Sequence, residues 1–449
     1  MKVAIAAVAA VLNFAACMAA GPYISGAWEG TLTVTPQVQL KLVINLKTDT
    51  DGKHSVTLDS PDQGAYGIPG EVKYLSADSF NVAVRAIGAG YSGYREGNQL
   101  VGIFTQGALK APLVLSQEIT EARRPQTPVA PFPYSAREVA FSNQRDNVTL
   151  AGTLTLPKGY TADTPAVVMV TGSGLQNRDE EVFGHKPFAV IADWLARNGV
   201  ASLRYDDRGY GKSTGDGATA TTEDFARDAH SAVKFMRETA RFNRVGVLGH
   251  SEGATVAFML GADSAADFII AMGAQGVRGD SILIDQSETM LRDGGVPDEF
   301  IADYTEALRR LYEVKIAGGD MAAFASVDAL CADWATDHIH NSLKENLRKI
   351  ASEPNAWLRH FIGFSPAADI AATSCPVLVL YGEKDTQVRP GLNMPAVKRS
   401  APAADVRLYP GLNHLMQHAT TGSIAEYNTI EETISPEVLT DITAFVTAQ

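Results

Sequence analysis

The stretch Val245 to Ala257, Val-Gly-Val-Leu-Gly-His-Ser-Glu-Gly-Ala-Thr-Val-Ala, restricts the possible folds more than any other part of the chain. Val245 to Leu248 is a short apolar run of the kind buried in a sheet. Gly249-His250-Ser251-Glu252-Gly253 follows at once, and small and apolar residues suited to a helix come next. Gly-x-Ser-x-Gly between a strand and a helix predicts a tight turn that strains the backbone of Ser251 and holds its hydroxyl clear of the sheet edge. A side chain at 249 or 253 would crowd that turn, so both positions are glycine. The competing reading is a surface turn with an idle serine, and the flanking strand and helix weigh against it.

A serine hydroxyl is a poor nucleophile near neutral pH and needs a histidine base oriented by a carboxylate. In a strand–turn–helix setting the partners follow the serine in the order acid, then histidine. After the apolar run Val377 to Tyr381 comes Gly382-Glu383-Lys384-Asp385, and Asp385 is the expected acid, with Glu383 as second choice. After Val406 to Tyr409 comes Pro410-Gly411-Leu412-Asn413-His414, and His414 is the expected base. His250 is expected to point away from the hydroxyl. His418 stands four residues past His414, but position 415 is Leu, so the zinc signature His-Glu-x-x-His is absent. His338 and His340 have no ligand partners at metal spacing and read as solvated surface.

A tetrahedral intermediate needs backbone N–H donors. Glu252, which follows the nucleophile, should supply one, and the loop Thr171-Gly172-Ser173-Gly174 the other, through Ser173 or Gly174. A dinucleotide-binding reading of that loop fails because Asn177 stands where a third glycine is required. Gly211-Lys212-Ser213 resembles a phosphate loop, but Asp206 stands at its first glycine position, and Asp206 to Arg208 read as an Asp–Arg brace. Neither a metal nor a cofactor is called for.

Two kinds of pattern divide the 449 residues. From Gly26 to Ser116, seven or so short alternating runs are separated by turn signals such as Asp51-Gly52, Gly88, Gly93 and Gly97-Asn98, which predicts a small antiparallel all-β barrel or sandwich at 21–117. Residues 118–135 carry Pro125, Pro128, Pro131 and Pro133 and read as an extended linker or a strap. From 136 to 449 strand and helix patterns alternate, implying an α/β domain with a mostly parallel sheet covered on both faces. Helical patterns at Asp280–Arg292, Pro297–Lys315, Asp320–Ala335 and Ser342–Ser352 mark a helical lid at about 276–366. Ser435 and Pro436 are the expected N-cap and first turn of a closing helix.

Lys2 followed by the Ala- and Val-rich run to Ala20 reads as a secretory signal at 1–20, with export to the periplasm or medium. A lipoprotein acylation site at Cys17 is the minority reading. No later stretch is apolar enough for a stable membrane span. A net charge of −13 argues against a nucleic-acid partner. Cys331 and Cys375 make neither a disulfide framework nor a zinc site; pairing and two separate thiols both stay open. Nothing in the pattern addresses the oligomeric state.

Taken together, Trp28-Glu29-Gly30, Leu58 to Gly64, Gly172-Ser173-Gly174, Asn177-Arg178-Asp179-Glu180, Phe183 to Pro187, Arg204 to Gly209, the Ser251 pentapeptide and Leu412 to Leu415 resemble the α/β-hydrolase superfamily. More narrowly they resemble secreted bacterial serine esterases with an N-terminal β-domain, a group often labelled peptidase-like. Ala254 departs from it, where relatives usually carry a second glycine. The resemblance implies a Ser251, Asp385, His414 triad and carboxylesterase activity on a small-molecule ester through an acyl-enzyme. The alternative is a serine aminopeptidase or dipeptidyl peptidase with the same triad, in which Asp179 and Glu180 would hold a substrate ammonium. A third reading, a binding protein whose β-domain grips glycan or lipid, lacks an aromatic ladder to support it.

Overall fold

The computed structural model describes residues 24, 26–35, 38–48, 53–76, 78–117, 123–352 and 355–449. The expected signal at 1–20, Cys17 and part of the expected linker lie outside them. The described chain forms two compact units. One holds the residues up to Arg123 together with Ile424–Thr429, and the other holds Arg124–Ser423 and Ile430–Gln449.

In the first unit, strands β1 (Gly26–Thr35), β2 (Val38–Thr48), β3 (His54–Ser60), β4 (Ala65–Leu75), β5 (Ser79–Val84), β6 (Ala89–Glu96), β7 (Gln99–Gln106) and β8 (Leu109–Ser116) close into a barrel in chain order. Alternate residues point inward, so β5 buries Phe80, Val82 and Val84 while its other positions stay partly open. An eight-stranded barrel is just wide enough for side chains to fill. Trp28, Leu32, Ile44, Leu46, Phe80, Tyr91, Leu100 and Leu115 do so here.

The strand the sequence reading lacks is β6. Its glycines resemble turn signals, yet Gly93 pairs with Gly102 of β7 and the Tyr91 ring lies over both. A Cβ on Gly93 would stand 2.7 Å from that ring, and one on Gly102 2.6 Å from it. The two glycines thus clear room for an aromatic ring whose hydroxyl bonds the carbonyl oxygen of Leu100 at 3.0 Å.

In the second unit, β9 (Ser135–Asn143), β10 (Val148–Leu156), β11 (Ala166–Val170), β12 (Ala201–Tyr205), β13 (Val245–His250), β14 (Ile269–Met272), β15 (Val377–Gly382) and β16 (Asp405–Tyr409) make one sheet. Its order is β16-β15-β14-β13-β11-β12-β10-β9, parallel except at the β9–β10 and β10–β12 pairs. Alternate residues of β11 enter different cores. Val168 and Val170 pack in one, Val167 and Met169 in the other, as a strand covered on both faces requires.

Around the sheet run α1 (Pro187–Arg197), α2 (Thr222–Glu238) and α3 (Glu252–Ala262). Between β14 and β15 come α4 (Gly279–Asp293), α5 (Asp298–Leu330), α6 (His338–Ser352), α7 (Ala356–Gly363) and α8 (Ala367–Ala372), and the chain closes with α9 (Pro390–Ser400) and α10 (Pro436–Thr447). The two helices expected at 297–315 and 320–335 form one element broken at Gly319, whose φ of 76° and ψ of −170° are non-helical. The inserted helices have their own apolar core, including Ile301, Leu308, Leu311, Leu347 and Ile362. His340 is not solvated surface. It is buried, with Nδ1 2.5 Å from Asp337 and Nε2 3.1 Å from Asp303.

Cys331 and Cys375 are free thiols. Ser435 precedes α10 as expected, but its hydroxyl makes no cap bond and is buried without a partner. The Pro-rich stretch beyond Arg123 is a strap. The Arg124 guanidinium bonds the carbonyls of Ile430 and Phe183, Gln126 bonds that of Ile434 at 2.7 Å, and the Tyr134 hydroxyl bonds Asp193 at 2.8 Å.

Candidate active site

Ser251 joins β13 to α3 with φ 55° and ψ −117°, a conformation that side-chain-bearing residues avoid. The flanking glycines make it attainable. A Cβ on Gly249 would stand 1.9 Å from the Gly253 carbonyl oxygen, and one on Gly253 2.1 Å from that of Val170. The Ser251 N–H bonds the Met272 carbonyl at 2.8 Å and ties the turn to the end of β14.

Asp385 follows β15 and His414 follows β16, so both stand at the carboxyl edge of the sheet beside that turn. His414 Nδ1 lies 2.8 Å from Asp385 Oδ2. The other carboxylate oxygen accepts from the backbone N–H groups of Gln387 and Val388, each at 2.8 Å. Burial alone would push the Asp385 pKa up, but the His414 ring and these two N–H donors outweigh it and hold the carboxyl below its ordinary value. Gly273, next after Met272, gives the imidazole its place: a Cβ there would stand 3.0 Å from His414 Cε1. Among the described hydrogen bonds none joins the Ser251 hydroxyl to His414, and such catalytic bonds are often loose before substrate arrives. Glu383, the second-choice acid, is exposed and accepts from the Gly411 N–H at 3.0 Å.

The two acids expected to face a substrate ammonium have internal partners. Asp179 is ion-paired with Arg204. Glu180, only 2% exposed, accepts from the Gly172 N–H at 2.9 Å and from His250 Nδ1 at 3.0 Å. His250 Nε2 lies 2.9 Å from the His414 carbonyl oxygen. Both ring nitrogens of His250 therefore face acceptors, and only the protonated ring can donate to both. Burial works against that charge, yet the Glu180 carboxylate and the His414 carbonyl together raise the His250 pKa above its ordinary value. No sequence signal singles out this residue, because its partners lie far away in the chain.

Glu252 heads α3, so its backbone N–H has no carbonyl one turn back within the helix to bond. Its carboxylate is buried and accepts 2.6 Å from the Thr222 hydroxyl and 2.9 Å from the Trp357 indole N–H of α7. Burial pushes its pKa up despite those donors. In the facing loop the Gly172 N–H is occupied by Glu180, whereas no described hydrogen bond is donated by the backbone of Ser173 or Gly174.

The Asp–Arg brace is more elaborate than expected. Asp206 pairs with Arg178 at 2.8 Å, and Arg208 pairs with Asp146, Asp224 and Asp228. Among the described residues no cluster of His, Cys, Asp and Glu is arranged to hold a metal ion.

Comparison with known proteins places residues 186–275 in a match to the family described as serine aminopeptidase, S33. Esterase EstD of Thermotoga maritima is 39% identical over 122 residues, 27% of this chain and 29% of that protein. The match thus spans less than a third of that relative's length. Among solved structures, the Pyrococcus furiosus esterase Pf2001 aligns with 70% of this chain and 93% of its own, at 17% identity and a TM-score of 0.42. A proline iminopeptidase of Mycobacterium smegmatis aligns with 70% of this chain and 98% of its own, at 14% identity and a TM-score of 0.43.

Proposed function

We propose that the chain is a serine hydrolase of the α/β-hydrolase type that cleaves carboxylic esters through an acyl-enzyme on Ser251, a reading supported by its partial matches to the S33 family and to an esterase. The observation that carries this reading is the 2.8 Å bond between His414 Nδ1 and a fully buried Asp385, set beside a serine held at φ 55°. Asp385 fixes the tautomer in which Nε2 is free to act as base. His414 takes the Ser251 proton as the hydroxyl oxygen attacks the ester carbonyl, and returns it to the departing alcohol. Water then attacks the acyl-enzyme by the same route in reverse, releasing the acid. The Glu252 N–H, with that of Ser173 or Gly174, stabilises the oxyanion. Export to the periplasm or medium under the signal at 1–20 belongs to the same reading.

A second reading, aminopeptidase, is favoured by the description of the matched family. Against it, Asp179 and Glu180 already serve Arg204 and His250. Turnover of an aryl ester against an aminoacyl anilide separates the two. We expect ester cleavage that disappears in Ser251→Ala; cleavage of the anilide alone would reverse the ranking.

A further inference from the structure

Asp207 stands between Asp206 and Arg208 in the chain, yet it takes no part in their brace: among the described ion pairs none includes it. It is only 5% exposed. Burial pushes its carboxyl well above the ordinary range, and the nearby Glu252 and Asp228 push the same way. A buried acid with no ion-pair partner is costly to keep.

The hydrogen bonds it makes span one loop. Oδ1 accepts from the Thr171 hydroxyl at 2.9 Å, and Oδ2 accepts from the Gln176 N–H at 2.7 Å. The Asp207 N–H returns to the Gln176 carbonyl at 3.1 Å. One residue thus grips both ends of 171–176. Between the grips, Glu180 takes the Gly172 N–H and Glu252 takes the Ser173 hydroxyl. The loop lies directly against the nucleophile, since a Cβ on Gly172 would stand 3.2 Å from the Ser251 Cβ. The cavity that Thr171, Gly172, Asp207 and Glu252 share measures only about 10 Å³. That is no more than one water molecule needs, so the loop rests on these side chains rather than on solvent.

We propose that Asp207 is a positioning residue for the reaction at Ser251: through Thr171 and Gln176 it fixes the loop whose Ser173 or Gly174 N–H meets the oxyanion. This role rests on the ester-hydrolase reading. It requires two bonding atoms at fixed places and no negative charge. Asparagine supplies both, with its carbonyl oxygen toward the Gln176 N–H and its amide NH2 toward Thr171, whose hydroxyl can accept as well as donate. Alanine supplies neither, and a donor misplaced by about 1 Å costs on the order of 100-fold in rate.

Turnover of para-nitrophenyl acetate and inhibition by phenylboronic acid, both on the full-length protein, test the role. The boronic acid forms a tetrahedral adduct with a serine hydroxyl and so reports on the oxyanion donors without turnover. Asp207→Ala should lower kcat by about 10- to 100-fold and weaken the boronic acid by a similar factor, with KM within about twofold of wild type. Asp207→Asn should bring kcat and inhibitor affinity back to within about threefold. Circular dichroism verifies folding. Should Asp207→Ala not fold, Thr171→Val removes one grip at nearly constant volume and should lower kcat about fivefold at unchanged KM; an unchanged kcat there would overturn the role. An unimpaired Asp207→Ala, or one whose loss falls on KM alone or spares the boronic acid, would overturn it as well. So would an Asp207→Asn as impaired as the alanine variant, because charge rather than placement would then be what matters. Wild-type protein that neither cleaves the ester nor binds the boronic acid would instead overturn Ser251 as nucleophile, and this role with it.

Discussion

Glu180 and His250, 70 positions apart, share a buried 3.0 Å hydrogen bond, and the far nitrogen of the same ring bonds the backbone of His414. Glu180 also takes the Gly172 N–H, so one carboxylate ties the loop facing the serine to the turn that carries it. Through the histidine it reaches the loop that carries His414 as well. The pair serves as internal bracing for three segments that must keep register to within a fraction of an ångström.

Replacing Glu180 by Gln removes the charge and keeps the shape. The folded pKa of His250 is raised above its ordinary 6.5. Its contribution to stability is therefore fully present below that value and lost as pH rises through the folded value. Glu180→Gln should cost about 1.5–3 kcal/mol at around pH 6, with the gap to wild type shrinking as pH rises. Urea denaturation of both proteins across that range measures it, and a gap that grows with pH would contradict the ion pair.

Ser251→Ala should reduce kcat for an aryl ester by roughly 10⁶-fold, while Asp385→Asn should reduce it by roughly 10⁴-fold through the wrong imidazole tautomer. Single-turnover kinetics on folded variants distinguishes these losses from misfolding.

Trp357→Phe deletes the indole N–H that reaches both oxygens of Glu252. A loss of about 1.5–3 kcal/mol is expected where Glu252 is ionised. The loss should shrink on acidification, because the protonated acid needs that donor less. Thermal denaturation at a series of pH values reads both effects.

Gly253→Ala would drive a methyl carbon to 2.1 Å from the Val170 carbonyl oxygen. The sheet must yield, at a cost of about 1–3 kcal/mol or more, and the melting temperature should fall accordingly. Gly174→Ala meets no atom within 4 Å, so it feels only the strain of its φ of +93° and should fall less.

Elements with a clear period were legible from residue order. The parallel strands of the second unit, the turn at Ser251 and the helices flanking it follow from apolar runs and glycine spacing. Strand β6 escaped because its glycines, needed to seat the Tyr91 ring, have the composition of turns. Helix α7 escaped because eight residues carry too short a period to stand out. At the candidate site Ser251, Asp385 and His414 could be picked by order along the chain. The partners of Asp179, Glu180 and His250 could not, since which acid meets which base is decided only when distant loops pack.

The ring of eight strands bears on how the first unit meets other molecules. The sheet returns to its first strand where Glu29 of β1 pairs with Ser116 of β8, so among the described residues no barrel strand is left at an open edge for an extended peptide to join. Recognition there falls to outward-facing side chains and hairpin tips. Aromatic residues already stand among them, with Tyr66, Tyr74 and Tyr94 each at least 40% open to solvent.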